Sequence, residues 1–141
     1  VDPGRPPGGE PPPTSRIPTL GVRTWAEQTQ RARLGSDAPE EMIDWWTEYM
    51  GAADQRCSAE TAASAGRADV LGMLPRIKAP TLILQPDRCP SESLERVRQR
   101  QQMIPNSELK TVYADAYHIA AARADEGARL VLDFIKRHSS H

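Results

Sequence analysis

"APTLILQPD", Ala79–Asp87, decides how the chain reads. Leu82, Ile83 and Leu84 form an unbroken apolar run bounded by Pro80 and Pro86. A strand with one face in water alternates apolar and polar residues. A continuous run instead suits a strand covered on both faces, as in a parallel sheet. Downstream, "SESLERVRQRQQMIP" has Leu94, Val97 and Ile104 roughly on one side of a helix that Pro105 stops. "SELKTVYA" then reads as a second strand, and residues 120–137 as a last helix with Leu130, Val131, Phe134 and Ile135 at helical spacing. Strand, helix, strand, helix is a βαβα unit, and its crossover makes the two strands parallel. The fold class is α/β.

The chain before this unit reads as helix throughout. "VRTWAEQTQRARL", residues 22–34, is a weakly amphipathic helix stopped by Gly35. In the next helix, Asp37 and Glu40 have capping-box spacing. Met42, Trp45, Trp46, Tyr49 and Met50 follow at i, i+3, i+4, i+7 and i+8, and Gly51 ends the run. Core packing is the first reading of such an aromatic stripe and a ligand-contacting wall the second; the two are compatible if the stripe roofs a pocket. Trp45, Trp46 and Tyr49 are therefore the candidate substrate-pocket residues. "SAETAASAGR", 58–67, reads as an alanine-rich helix, and "ADVLGMLPRI" as a short one ending near Pro75.

Composition excludes several classes. Net charge is −1, with acids and bases interspersed, so "RVRQR" reads as a solvated helix face and not as a nucleic-acid patch. Cys57 and Cys89 lie far apart with no histidine near either, so neither a metal site nor a cofactor is expected. Free thiols make a reduced, cytoplasmic setting the default. No apolar run is long enough to span a membrane, and the start lacks the pattern of a signal peptide. Residues 1–13, "VDPGRPPGGEPPP", hold six prolines and three glycines and read as a disordered tail. The expected organisation is a tail (1–13), a helical segment (14–78) and the βαβα unit (79–141).

In order and spacing, "PTLIL", the acidic turn "QPDRCP", a helix, "IPNSELKTVYADAYH" and a final helix ending "LVLDFIKR" resemble the C-terminal part of the α/β-hydrolase fold. "TSRIPTLGVRTWAEQTQRARLGSDAPEEMIDWW" is similar to the start of the helical cap in hydrolases like 3-oxoadipate enol-lactonases, and "LPRIKAPTLIL" to the return from cap to core. The resemblance spans about residues 14–137 and implies a partial α/β-hydrolase fold: a cap segment followed by the last two core strands. It implies hydrolysis of an ester, lactone or related acyl bond in the parent enzyme. The family's first six strands, oxyanion-hole loop and nucleophile elbow have no counterpart in this sequence.

That chemistry needs a nucleophile, a base and a carboxylate that orients the base. "TVYADAYHIAAAR", Thr111–Arg123, places His118 after a strand and before a helix, where α/β sheets present functional groups. By the resemblance His118 is the base. Aligned on "PTLIL", Cys89 takes the acid's position and Pro86 a glycine's, with Asp87 two residues before Cys89. A neutral thiol cannot orient imidazolium as a carboxylate does. Asp87 is therefore the candidate acid if the loop shifts; it also suits a plain Pro-Asp turn. A Cys89–His118 pair is the less favoured alternative. The nearest match to a nucleophile elbow, "AASAG" around Ser64, follows polar, helix-like sequence instead of a strand and reads as chance. His138 and His141 lie in the terminal "RHSSH" and take no role. The expected chain is inactive alone. The alternative is a non-catalytic binding module, possibly homo-oligomeric. Either way, an apolar strand with an open edge invites self-association or a partner chain that completes the sheet.

Overall fold

The structure is a computed structural model that describes residues 13–68 and 70–139. Residues 1–12 of the expected tail and His141 lie outside the described residues. Contacts divide the chain into two units: Val1–Arg31 with Ala38–Asp69, and Ala32–Asp37 with Val70–His141.

The first unit is helical. A 3-10 turn, Pro13–Arg16, leads into α1 (Ile17–Leu20), which Gly21 closes at φ +80°. α2 (Val22–Leu34), α3 (Glu40–Gly51) and α4 (Gln55–Arg67) follow, and the last turn of α2 counts with the second unit. Ile17, Val22 and Trp25 make the core, with Met50, Ala59 and Ala62 packed against it. Asp54 caps α4 by accepting the Cys57 N–H at 2.8 Å. The expected capping box at α3 does not form. Pro39 takes the N-cap position with no side-chain bond, because the Asp37 carboxylate is drawn to a guanidinium in the second unit. Gly51 is the last residue of α3 and not a left-handed cap; a Cβ there would sit 3.1 Å from the Arg23 side chain.

The second unit holds a two-stranded parallel sheet, β1 (Thr81–Pro86) with β2 (Ser107–Val112), in register from Thr81↔Ser107 to Pro86↔Val112. The ladder runs on past the strands: Asp87 N–H donates to Val112 O at 2.9 Å and Arg88 N–H to Ala114 O at 3.2 Å. α5 (Leu94–Gln102) joins the strands and packs on both; Ser93 caps it. The "ADVLGMLPRI" segment is a 3-10 helix, Leu71–Arg76, with Pro75 inside it. The expected last helix is two: α6 (Ile119–Ala122) and α7 (Ala124–His138), broken at Arg123, and both pack on β1. Val97, Ile104, Val112, Ala114, Ala116, Ile119 and Leu34 are buried. Leu82, Ile83 and Leu84 are only half-buried, and among the described residues β2 is the one strand beside β1.

Candidate active site

The histidine loop is built by contacts that span most of the chain. Gly35 ends α2 at φ +96°, a conformation that strains any residue with a Cβ. A Cβ there would also lie 2.8 Å from Asp115 Oδ1 and 3.3 Å from the Ala116 Cβ. The close approach lets the turn lie against Asp115–His118. Asp115 accepts the Ser36 N–H at 3.1 Å, Tyr117 N–H donates to Ala32 O at 3.4 Å, and His118 N–H donates to Arg33 O at 3.0 Å. Arg123 finishes the clamp. Its Nη2 reaches Asp37 Oδ2 at 2.7 Å and its Nε donates to Tyr113 O at 3.1 Å. These bonds hold Asp37 and Asp115 below the usual carboxylate range, the first through Arg123 and the second through Ser36.

His118 sits at the mouth of this loop, just before α6, with part of its surface exposed. Its ring leans on Tyr117, centroids 4.7 Å apart. Arg33, 7% exposed, places Nη1 3.1 Å from His118 Nε2 and its guanidinium 5.4 Å from the Tyr117 ring centroid. Loss of hydration, and then the charge of Arg33, hold the His118 pKa below its ordinary value. Partial burial pushes the Tyr117 hydroxyl up and the Arg33 guanidinium down.

Asp87 has a different employer. Its Oδ1 accepts the buried Ala114 N–H at 3.0 Å, which braces the turn after β2, and Arg88 Nε lies 3.9 Å away. The ring bond to His118 comes from Arg33, not from Asp87. Cys89 is half-buried and pairs with Ser91 Oγ at 3.3 Å. Ser64 lies within α4 and so has no strand before it. His138, on α7, bonds Phe134 O through Nδ1 at 2.9 Å. Among the described residues, no group of three His, Cys, Asp or Glu side chains could hold a metal ion. No described helix is long and apolar enough to cross a membrane.

The aromatic residues of α3 stay in the first unit. Trp45 and Tyr49 are 59% and 65% exposed and stack on each other, centroids 5.4 Å apart, with Trp46 edge-on and half-buried. Core packing therefore does not explain Trp45 or Tyr49. Tyr49 borders an open, mainly apolar groove of about 450 Å³, with Val22, Trp25, Met50, Ala52, Ala53 and Ser58 as its other walls. Trp45 and Trp46 are not in that wall.

Sequence reasoning missed Arg33, Tyr117, Asp115 and Arg123. From sequence Gly35 is a helix stop, and only the fold shows that it also admits the histidine loop. The one available signal for Arg33 is its place two residues before Gly35, at the end of α2. Charged residues are common at helix ends for reasons unrelated to function.

No protein-family model matches the chain, and no curated protein sequence does so significantly. Solved structures do match. An enol-lactonase from Burkholderia xenovorans LB400 aligns at TM-score 0.79 and 20% identity, over 89% of this chain and 49% of that one. A hydrolase from Oleispira antarctica aligns at 0.73 and 22%, over 92% and 52%. MenH from S. aureus aligns at 0.75 and 19%, over 90% and 50%. At these identities the likeness shows the fold: a partial α/β-hydrolase fold, as expected of the C-terminal part. The chain spans about half the length of the solved structures it matches.

Proposed function

We propose that this chain, with its partial α/β-hydrolase fold, is the cap and last two core strands of an enzyme that cleaves an ester, lactone or related acyl bond. His118 is the general base of that enzyme. The observation that carries the reading is the clamp that holds His118 on the loop after β2. Five hydrogen bonds to α2 and the turn after it, or within the loop's surroundings, serve to aim one loop. The sequence carries no nucleophile elbow, so the chain by itself turns nothing over. The edge of β1 that pairs with no strand among the described residues takes a further strand, supplied by the front half of the fold or by a second copy.

A second reading has its own support. Asp87 is committed to a backbone N–H and Cys89 stands where the resemblance puts the acid, so His118 has no carboxylate to orient it from this loop. A non-catalytic interaction module that keeps the fold would look like this. Turnover of a p-nitrophenyl ester by the purified chain, with its solution mass by light scattering, separates the readings. A folded, inactive oligomer favours the interaction module. Inactive chain that aggregates favours the piece of a larger hydrolase. Turnover abolished by His118→Ala would show a working nucleophile and overturn the claim of inactivity.

A further inference from the structure

Arg33 holds His118 at two points. Its carbonyl accepts the His118 N–H at 3.0 Å, and its Nη1 lies 3.1 Å from His118 Nε2. A guanidinium has donors only. The imidazole therefore accepts at Nε2 and carries its proton on Nδ1. A general base takes a proton with its free lone pair, and a base oriented through Nδ1 takes it at Nε2. In this chain that lone pair already receives a hydrogen bond from a cation. The contact is not a loose surface encounter, because Arg33 is buried and also lies against the Tyr117 ring.

We infer that Arg33 is a blocking residue: its guanidinium occupies the nitrogen through which His118 would deprotonate a nucleophile, and His118 serves as a base only once Arg33 withdraws. The inference rests on the reading of His118 as the base. It gives the last turn of α2 a regulatory part, since whatever completes the site must compete with Arg33 for Nε2. Arg33 is a positioning residue here and takes no part in bond breaking.

The test reads the histidine's own chemistry and needs no enzyme activity. Diethyl pyrocarbonate acylates a neutral imidazole at a free ring nitrogen. Exposed His138 serves as the reference within the same chain. A hydrogen bond to a charged donor is strong enough to slow His118 by about tenfold relative to His138, followed site by site with fragment-ion mass spectrometry. In Arg33→Met the two rates should come within about threefold, since the donor that set the difference is gone. Equal rates in the unaltered chain would overturn the block outright. ¹⁵N imidazole spectra of the unaltered chain give a second check that no folding defect can confuse. A proton on Nδ1 supports the block, and a proton on Nε2 of a neutral ring overturns it. Failure of the hydrolase reading shows in ester turnover and solution mass instead, so the two failures are distinguishable.

Discussion

The two units are held by different forces. The first is an apolar cluster on short helices: Ile17, Val22 and Trp25 shut out water, and small alanines of α4 close against them. The second has its own apolar core, but the loop that carries the candidate base is set by polar bonds. Ser36 to Asp115, Asp37 to Arg123 and the Arg33–His118 pair join residues 79 to 86 positions apart. An apolar cluster tolerates small shifts, because the hydrophobic effect has no direction. A hydrogen bond weakens steeply with angle, so a polar clamp fixes a loop more tightly than packing of the same area. The unit that carries the candidate base is the one aimed by directional contacts.

That contrast can be broken from either side. The largest effect should come from the apolar unit. Trp25→Ala removes the biggest side chain of its cluster and should cost about 3–5 kcal/mol in urea unfolding. If the loss is under about 1 kcal/mol, burial does not hold that unit. In the clamp, Gly35→Ala forces an alanine into left-handed backbone and should cost about 1–3 kcal/mol. It should also shift the NMR signals of Asp115–His118, because the new Cβ meets Asp115. A stability loss without those shifts would mean the turn does not position the loop.

Asp87 offers a finer test. Asp87→Ala strands the buried Ala114 N–H and should cost about 1–2 kcal/mol, whereas Asp87→Asn keeps an acceptor and should be nearly neutral. Asparagine as damaging as alanine would point to a need for the negative charge itself. A pH series probes the clamp further. The His118 pKa lies below its unfolded value near 6.5, so the unfolded state binds the proton more readily. The contribution is present above about pH 6.5 and is lost as the pH falls below it toward the folded pKa. Asp37 and Asp115 have depressed pKa values, so their contribution holds above the ordinary carboxylate range and disappears in stronger acid. A thermal melting temperature flat from pH 7 to 5 would contradict the histidine shift. The smallest effect belongs to the exposed aromatics. Trp45→Ser should change stability by no more than about 0.5 kcal/mol. A larger loss would return Trp45 to the core, against its exposure.

Sequence alone determined the order of the elements. The Leu82–Leu84 run, the stop at Gly35 and the place of His118 between strand and helix are local signals, governed by backbone sterics and side-chain period. They sufficed for a parallel βαβα unit after a helical segment and for the resemblance that half-length structural matches now support as a fold. Local signals misled where a side chain had a distant competitor. Asp37 has good capping spacing, yet it binds Arg123, since a charged partner outbids a backbone N–H that water can also satisfy. Asp87 reads as an acid only if its loop shifts, and otherwise as a turn residue; only the tertiary fold presents it with the Ala114 N–H. Arg33 shows only its place at the end of α2 until the chain folds back 85 residues later and sets His118 beside it. Local periodicity records which face of an element is apolar, whereas the partner of a polar group depends on which distant residue the fold delivers.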